Sequence, residues 1–155
     1  MDIKDLIKKE KEFLADARRL LVSEDDKEYF ERKVKTFENG EKLAETDEQK
    51  ELLLNQYVQA RHQITFLLFR RKLISDDIAN KFFDMMPIEE ANKRYAAKED
   101  ERKARQDEET KRLTVLREEE NKLDIFKGVL SGMTEEKAKE ELAKYQQDVR
   151  QAMRK

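Results

Sequence analysis

Apolar residues return at helical spacing along most of this chain. No segment alternates with the period of two that a half-buried strand needs. Ile3, Leu6, Ile7, Leu14, Ala17 and Leu21 share one face and predict a helix over residues 3–22. Ser23 can cap a second helix, with Glu24, Asp25 and Asp26 in the first turn, where acids suit the positive end of the helix dipole. Phe30, Val34 and Phe37 form its stripe, and Asn39-Gly40 predicts its stop.

Thr46 and Gln49 have capping-box spacing, so a third helix should run from Asp47 to about Lys72. Leu53, Tyr57, Ala60, Ile64, Leu67 and Leu68 make one face. Leu52, Leu54, Val58, Phe66 and Phe69 widen it nearly around the cylinder. A helix that is apolar all round must be covered on several sides, which makes this one the centre of a bundle. Ser75 caps a short fourth helix carrying Ile78, Ala79, Phe82, Phe83 and Met86. Pro87 ends it and suits the first position of the next.

From Ile88 there is no helix breaker until Gly128. Within this run, AAKEDERKARQDEETKR at 96–112 holds no apolar residue larger than Ala. Glu99, Glu101, Asp107 and Glu108 each stand four residues before a base, the favourable orientation, at roughly 0.2–0.5 kcal/mol per pair. These features predict a rigid, solvent-bathed helix. Unbroken, it would extend about 60 Å at 1.5 Å per residue. It therefore either projects as a stalk or breaks near Ala96–Lys98. Leu113, Leu116, Leu123, Phe126 and Leu130 then restore a stripe. Gly132 stops the chain, and Thr134 caps a last helix whose Ala138, Leu142, Tyr145, Val149 and Ala152 form a heptad-like, coiled-coil seam. The tight turn at 131–133 folds that helix back antiparallel. The expected class is all-α, with a helical bundle over 1–95 and a charged helix plus antiparallel hairpin over 96–155.

Composition sharpens this picture. Of 155 residues, 37% are hydrophobic and 45% charged, against about 45–50% and 25% in average domains. Thin helical layers fit that balance better than one deep core. All aromatics except Phe126 and Tyr145 precede residue 96, so the core should lie there too. A net charge of −2 gives no broad basic footprint for nucleic acid or an anionic membrane. With no Cys, disulfides and thiolate chemistry are excluded. The first residues lack the apolar run of a signal peptide, and no run approaches the roughly 18–20 apolar residues of a membrane span. The expected location is cytoplasmic, or the host cytoplasm for a virus-encoded chain.

No catalytic constellation stands out. His62 is the only histidine and has no carboxylate three or four residues away on its helix. Asp76, Asp77, Glu89 and Glu90 sit in helix first turns, where capping explains them. No phosphate loop or metal-loop spacing occurs. The expectation is a non-enzymatic chain without cofactor or metal, binding another protein or itself through helical surfaces. A small inhibitor or accessory protein of viral or mobile-element origin is one subset of that class. The candidate contact residues are Phe82, Phe83 and Met86, and on the hairpin Leu113, Leu130, Leu142, Tyr145 and Val149. Adjacent aromatics on a helix point in different directions, and aromatics and Met are enriched at interfaces. The hairpin offers a single packed layer that a second copy could cover, giving a homo-oligomer. The alternative is a nucleic-acid-associated regulator acting through Arg61, Arg70, Arg71 and Lys72. Against it, Ser75-Asp76-Asp77 would place acids where phosphates belong.

Overall fold

The protein is all-α. The computed structural model describes residues 2–108 and 113–153, and among these there is no strand. At the centre runs α3 (Asp47–Arg70). Packed on it are α1 (Ile3–Leu20), α2 (Glu24–Leu43), α4 (Asp76–Phe83), α5 (Ile88–Glu108) and α6 (Leu113–Leu130). The last helix, α7 (Glu135–Met153), packs on α6. Among the described residues no helix is long and apolar enough to cross a membrane.

Most of the apolar surface of α3 is buried as its sequence predicts, but Phe66 and Phe69 near its end are exposed. Leu53, Leu54, Val58 and Leu68 are almost wholly enclosed, each worth roughly 1.5–3 kcal/mol of burial. Thr46 and Gln49 complete the capping box: the Gln49 amide donates to Thr46 Oγ1 at 3.1 Å, and the Thr46 amide to Gln49 Oε1 at 3.0 Å. Ser75 and Thr134 cap α4 and α7 through their hydroxyls. Ser23 precedes α2 but makes no capping bond with its side chain.

Contacts along the helices give their directions. Lys11 meets Glu41 at 3.1 Å and Arg18 meets Glu31 at 2.8 Å, so α1 and α2 are antiparallel. Phe37 packs on Tyr57, and Arg71 reaches Asp26, so α2 and α3 are antiparallel. Arg94 bonds Glu51 and Arg102 bonds Glu48, each at 2.8 Å, so α5 runs back along α3.

The expected boundary at residue 95 falls inside α5, and the core crosses it. Leu123 and Phe126 of α6 join Phe30, Phe37, Leu53 and Tyr57 in one hydrophobic cluster. Nor does the charged helix project as a stalk. α5 passes unbroken through Ala96–Lys98 to Glu108, and α6 returns beside it, with Arg102 3.5 Å from Glu120. Of the expected intrahelical pairs, Glu99–Lys103 forms at 2.8 Å, whereas Glu101 turns to Lys98. The partners expected at Lys111 and Arg112 lie outside the described residues. The helix is not wholly solvated: Arg102 is largely enclosed between Glu48 and Glu120.

Two glycines mark close approaches. The expected stop at Asn39-Gly40 does not occur, and α2 continues to Leu43. A Cβ on Gly40 would lie 2.6 Å from Leu130 Cδ2, so the glycine admits α6 to the bundle. A Cβ on Gly128 would lie 2.9 Å from the Ala138 Cβ, where α6 meets α7. The two should respond differently. Leu130 can swing its branch end away, so Gly40→Ala should be near neutral, because helix propensity returns about 1 kcal/mol. Ala138 cannot yield without moving α7, and overpacking costs about 1–3 kcal/mol. Gly128→Ala should therefore speed amide exchange in α7 while Gly40→Ala leaves it unchanged. Equal exchange in the two variants would refute this packing difference.

Candidate interaction surface

One side chain organises the half of the molecule around α4. Arg61, on α3, is 0% exposed. Its Nε donates to both carboxylate oxygens of Glu10 on α1, at 3.1 and 2.8 Å. Its Nη1 donates to the Phe82 carbonyl and its Nη2 to the Met86 carbonyl. The planar guanidinium thus spends its fork on a carboxylate and on two carbonyls, one in the last turn of α4 and one in the link to α5, a geometry Lys could not copy. Burial holds the Glu10 carboxyl above its usual value, although Arg61 pulls it down. Arg61 is therefore corrected from a candidate phosphate contact to a structural centre.

The same geometry revises the expected contact residues around α4. Phe82 turns inward, its ring 4.8 Å from Phe13 and edge-on to it. Phe83 lies against His62, 5.4 Å between centroids. Met86 is half-buried, packs against the core and presents its carbonyl to Arg61. These residues hold α4 in place rather than forming an open face.

The open face is on α3 itself. α5 covers the polar stripe of α3 at Glu48, Glu51 and Asn55, where Asn55 donates to Asn92 at 2.6 Å. The chain enters α5 beside His62, and beyond it this one face of α3 lies open, while Ile64, Thr65 and Leu68 on its other faces stay buried. Phe66 is 55% exposed and Phe69 43% exposed, one turn apart. Tyr29 of α2 borders them, its hydroxyl donating to Gln63 at 3.4 Å. The Arg70 guanidinium lies over the Phe66 ring, 5.9 Å from its centroid. Arg70, Arg71 and Lys72 are all exposed at this end. Arg71 has a carboxylate partner, Asp26, at 3.2 Å. Lys72 adopts φ 59°, the left-handed conformation that glycine favours, closing α3 with the Leu73 amide bonded to the Leu68 carbonyl.

On the hairpin, Leu130 packs against Gly40 and Val129 is buried, so both are used within the molecule. Leu142 is half-buried. Tyr145 leaves the expected seam and is 67% exposed. Leu113 and Val149 lie outside the residues whose side chains are described. A cavity of about 640 Å³ opens between the start of α3, α5 and α6. Its central charges, Glu48 and Arg102, neutralise each other. No group of three or more metal-ligating side chains converges among the described residues. No protein-family model, curated protein or solved structure matches this chain.

Two measurements check this geometry. Burial, and then the neighbouring Arg61 charge, lower the His62 pKa below 6.5, against the Met86 backbone and Glu89. The folded state thus resists protonation more than the unfolded state. The stability this contributes is complete above pH 6.5 and declines as pH falls from there through the folded pKa. Chemical denaturation at pH 7.5 and 5.5 should show a loss that His62→Gln diminishes; an unchanged loss would assign it to other groups. Lys72→Gly should raise stability by about 1 kcal/mol, since a left-handed L-residue costs roughly 1–2 kcal/mol. A lower melting temperature would contradict the stated conformation.

Proposed function

We propose that this protein is a non-enzymatic protein-binding or assembly module, and that the uncovered end of α3 is its principal contact face. The observation that carries the reading is the exposure of Phe66 and Phe69 on a helix whose other large apolar residues are buried or half-buried. Exposing two phenyl rings side by side forgoes burial worth roughly 1.5–3 kcal/mol each when complete. Clustered exposed aromatics rimmed by polar groups mark interaction sites. The neighbouring Arg70 adds a residue type enriched at binding hot spots.

A second copy of the chain is a further partner within this reading. Tyr145 is exposed on a helix that packs chiefly on α6, so the outer side of α7 is free to pair. Val129 and Leu130, already used inside the molecule, contribute less to such a dimer than their sequence positions suggest.

The test is site-specific photo-crosslinking in cells of the native source, with the reactive group at position 69 and a control at the exposed Asp16. Position 69 should give a discrete protein adduct that the control lacks and that Phe66→Ser abolishes. Phe66→Ser itself should cost about 1 kcal/mol of stability, the share of burial a half-exposed ring retains, and leave the fold intact. Adducts equal at both positions would reject this face as the functional one. Light scattering coupled to size exclusion separates a second copy from a different partner.

A further inference from the structure

We infer that the uncovered end of α3 takes an acidic amphipathic segment of its partner, with apolar side chains over Phe66 and Phe69 and carboxylates against Arg70, Arg71 and Lys72. This rests on the proposed protein-binding role and names the chemistry of what binds there. Charge complementarity carries it. Three consecutive cations end α3 beside the exposed rings, and all three are exposed. Of these three cations, only Arg71 forms an ion pair with a described residue, Asp26, and it stays largely exposed. That contact shows a carboxylate seated at this end of the helix.

Lys72 completes the charged cluster. It occupies the position after α3 where glycine is the favoured residue, at φ 59°. A lysine there keeps a positive charge at a conformational cost. The left-handed turn itself is an ordinary helix end, and what the lysine adds there is the third cation of the cluster. Arg70, lying over Phe66, couples the charged and aromatic parts into one surface.

A phosphate backbone fits less well. Asp76 and Asp77 open α4 only a few residues after the cations and are exposed. They bound the positive patch, and the chain as a whole carries −2. Phosphate tracking needs an extended basic path, whereas a short cluster of three cations beside two rings matches a few carboxylates flanking an apolar stripe. The face of α3 is itself helical, so an amphipathic helix with anchors at three- and four-residue spacing can lie along it.

The experiment is a display selection against the full-length protein at 0.15 M salt. The library consists of amphipathic helical peptides with Leu, Phe or Met along one stripe and an equal mixture of Glu, Gln and Lys beside it. The selected pool should favour Glu over Lys beside the stripe. A synthesised binder should lose roughly tenfold in affinity to an Arg70→Gln/Arg71→Gln/Lys72→Gln variant, the size expected of a few rim ion pairs. It should also lose affinity as salt rises and fail to bind Phe66→Ser. A pool without acidic bias overturns the inference and leaves the protein-binding role intact. Binders indifferent to Phe66→Ser, or no binders at all, overturn both. Tighter binding of a 20-nucleotide single strand than of any selected peptide overturns both in favour of nucleic acid.

Discussion

The arrangement around α4 depends on the buried Arg61. A guanidinium at 0% exposure must have its donors met, and it meets them on Glu10, Phe82 and Met86. These partners come from α1, from the last turn of α4 and from the link to α5, so one side chain on α3 fixes both helices and that link against it. The pair is not a simple source of stability. Burial raises the Glu10 pKa above that of a free carboxyl, so its charged form is disfavoured by folding. That contribution is most favourable at low pH and is lost as pH rises through the folded pKa. The value of Arg61 is geometric: it pins the end of α4 and the link before Pro87 against α3, and so fixes where α5 starts relative to the open face.

The same logic extends along α3 in weaker form. Glu48 and Glu51 are buried carboxylates answered by Arg102 and Arg94 of α5. Asn55 is answered by Asn92. α5 is therefore held by paired polar groups as well as by the buried Ala91. Such an interface specifies register, because a shift of α5 would leave buried charges unpaired at a cost of several kcal/mol. Beyond His62 α5 no longer covers this face of α3, and the exposed residues there are Gln63, Phe66, Phe69 and Arg70.

Much of this was legible from local signals. The α3 capping box, the Ser75 and Thr134 caps and the all-round apolar character of α3 need only neighbouring residues, and all appear. What stayed hidden depends on distant partners. Gly40 reads as a helix stop until Leu130 is known to lie on it. The charged α5 reads as a solvated face, because Glu48 and Glu51 stand 54 and 43 residues away from their arginines. Arg61 reads as a surface cation because arginine is seldom fully buried without a partner. For the contact surface, Phe66 and Phe69 read only as part of the apolar wall of α3, and nothing local says which rings face outward. Phe82 and Phe83 were equally good candidates until Phe13 and His62 were seen to cover them.

The most direct test of Arg61 as the anchor of α4 is amide hydrogen exchange across residues 76–86 in a Glu10→Leu/Arg61→Met variant. Removing both charges together avoids stranding a buried ion, whose loss of partner alone costs about 3–5 kcal/mol. The bundle should stay folded, with α1 and the first half of α3 protected as in the wild type. The amides of α4 and its link to α5 should exchange much faster, because the Phe82 and Met86 carbonyls have lost their donor. Wild-type protection across 76–86 in that variant would contradict the anchoring role of Arg61.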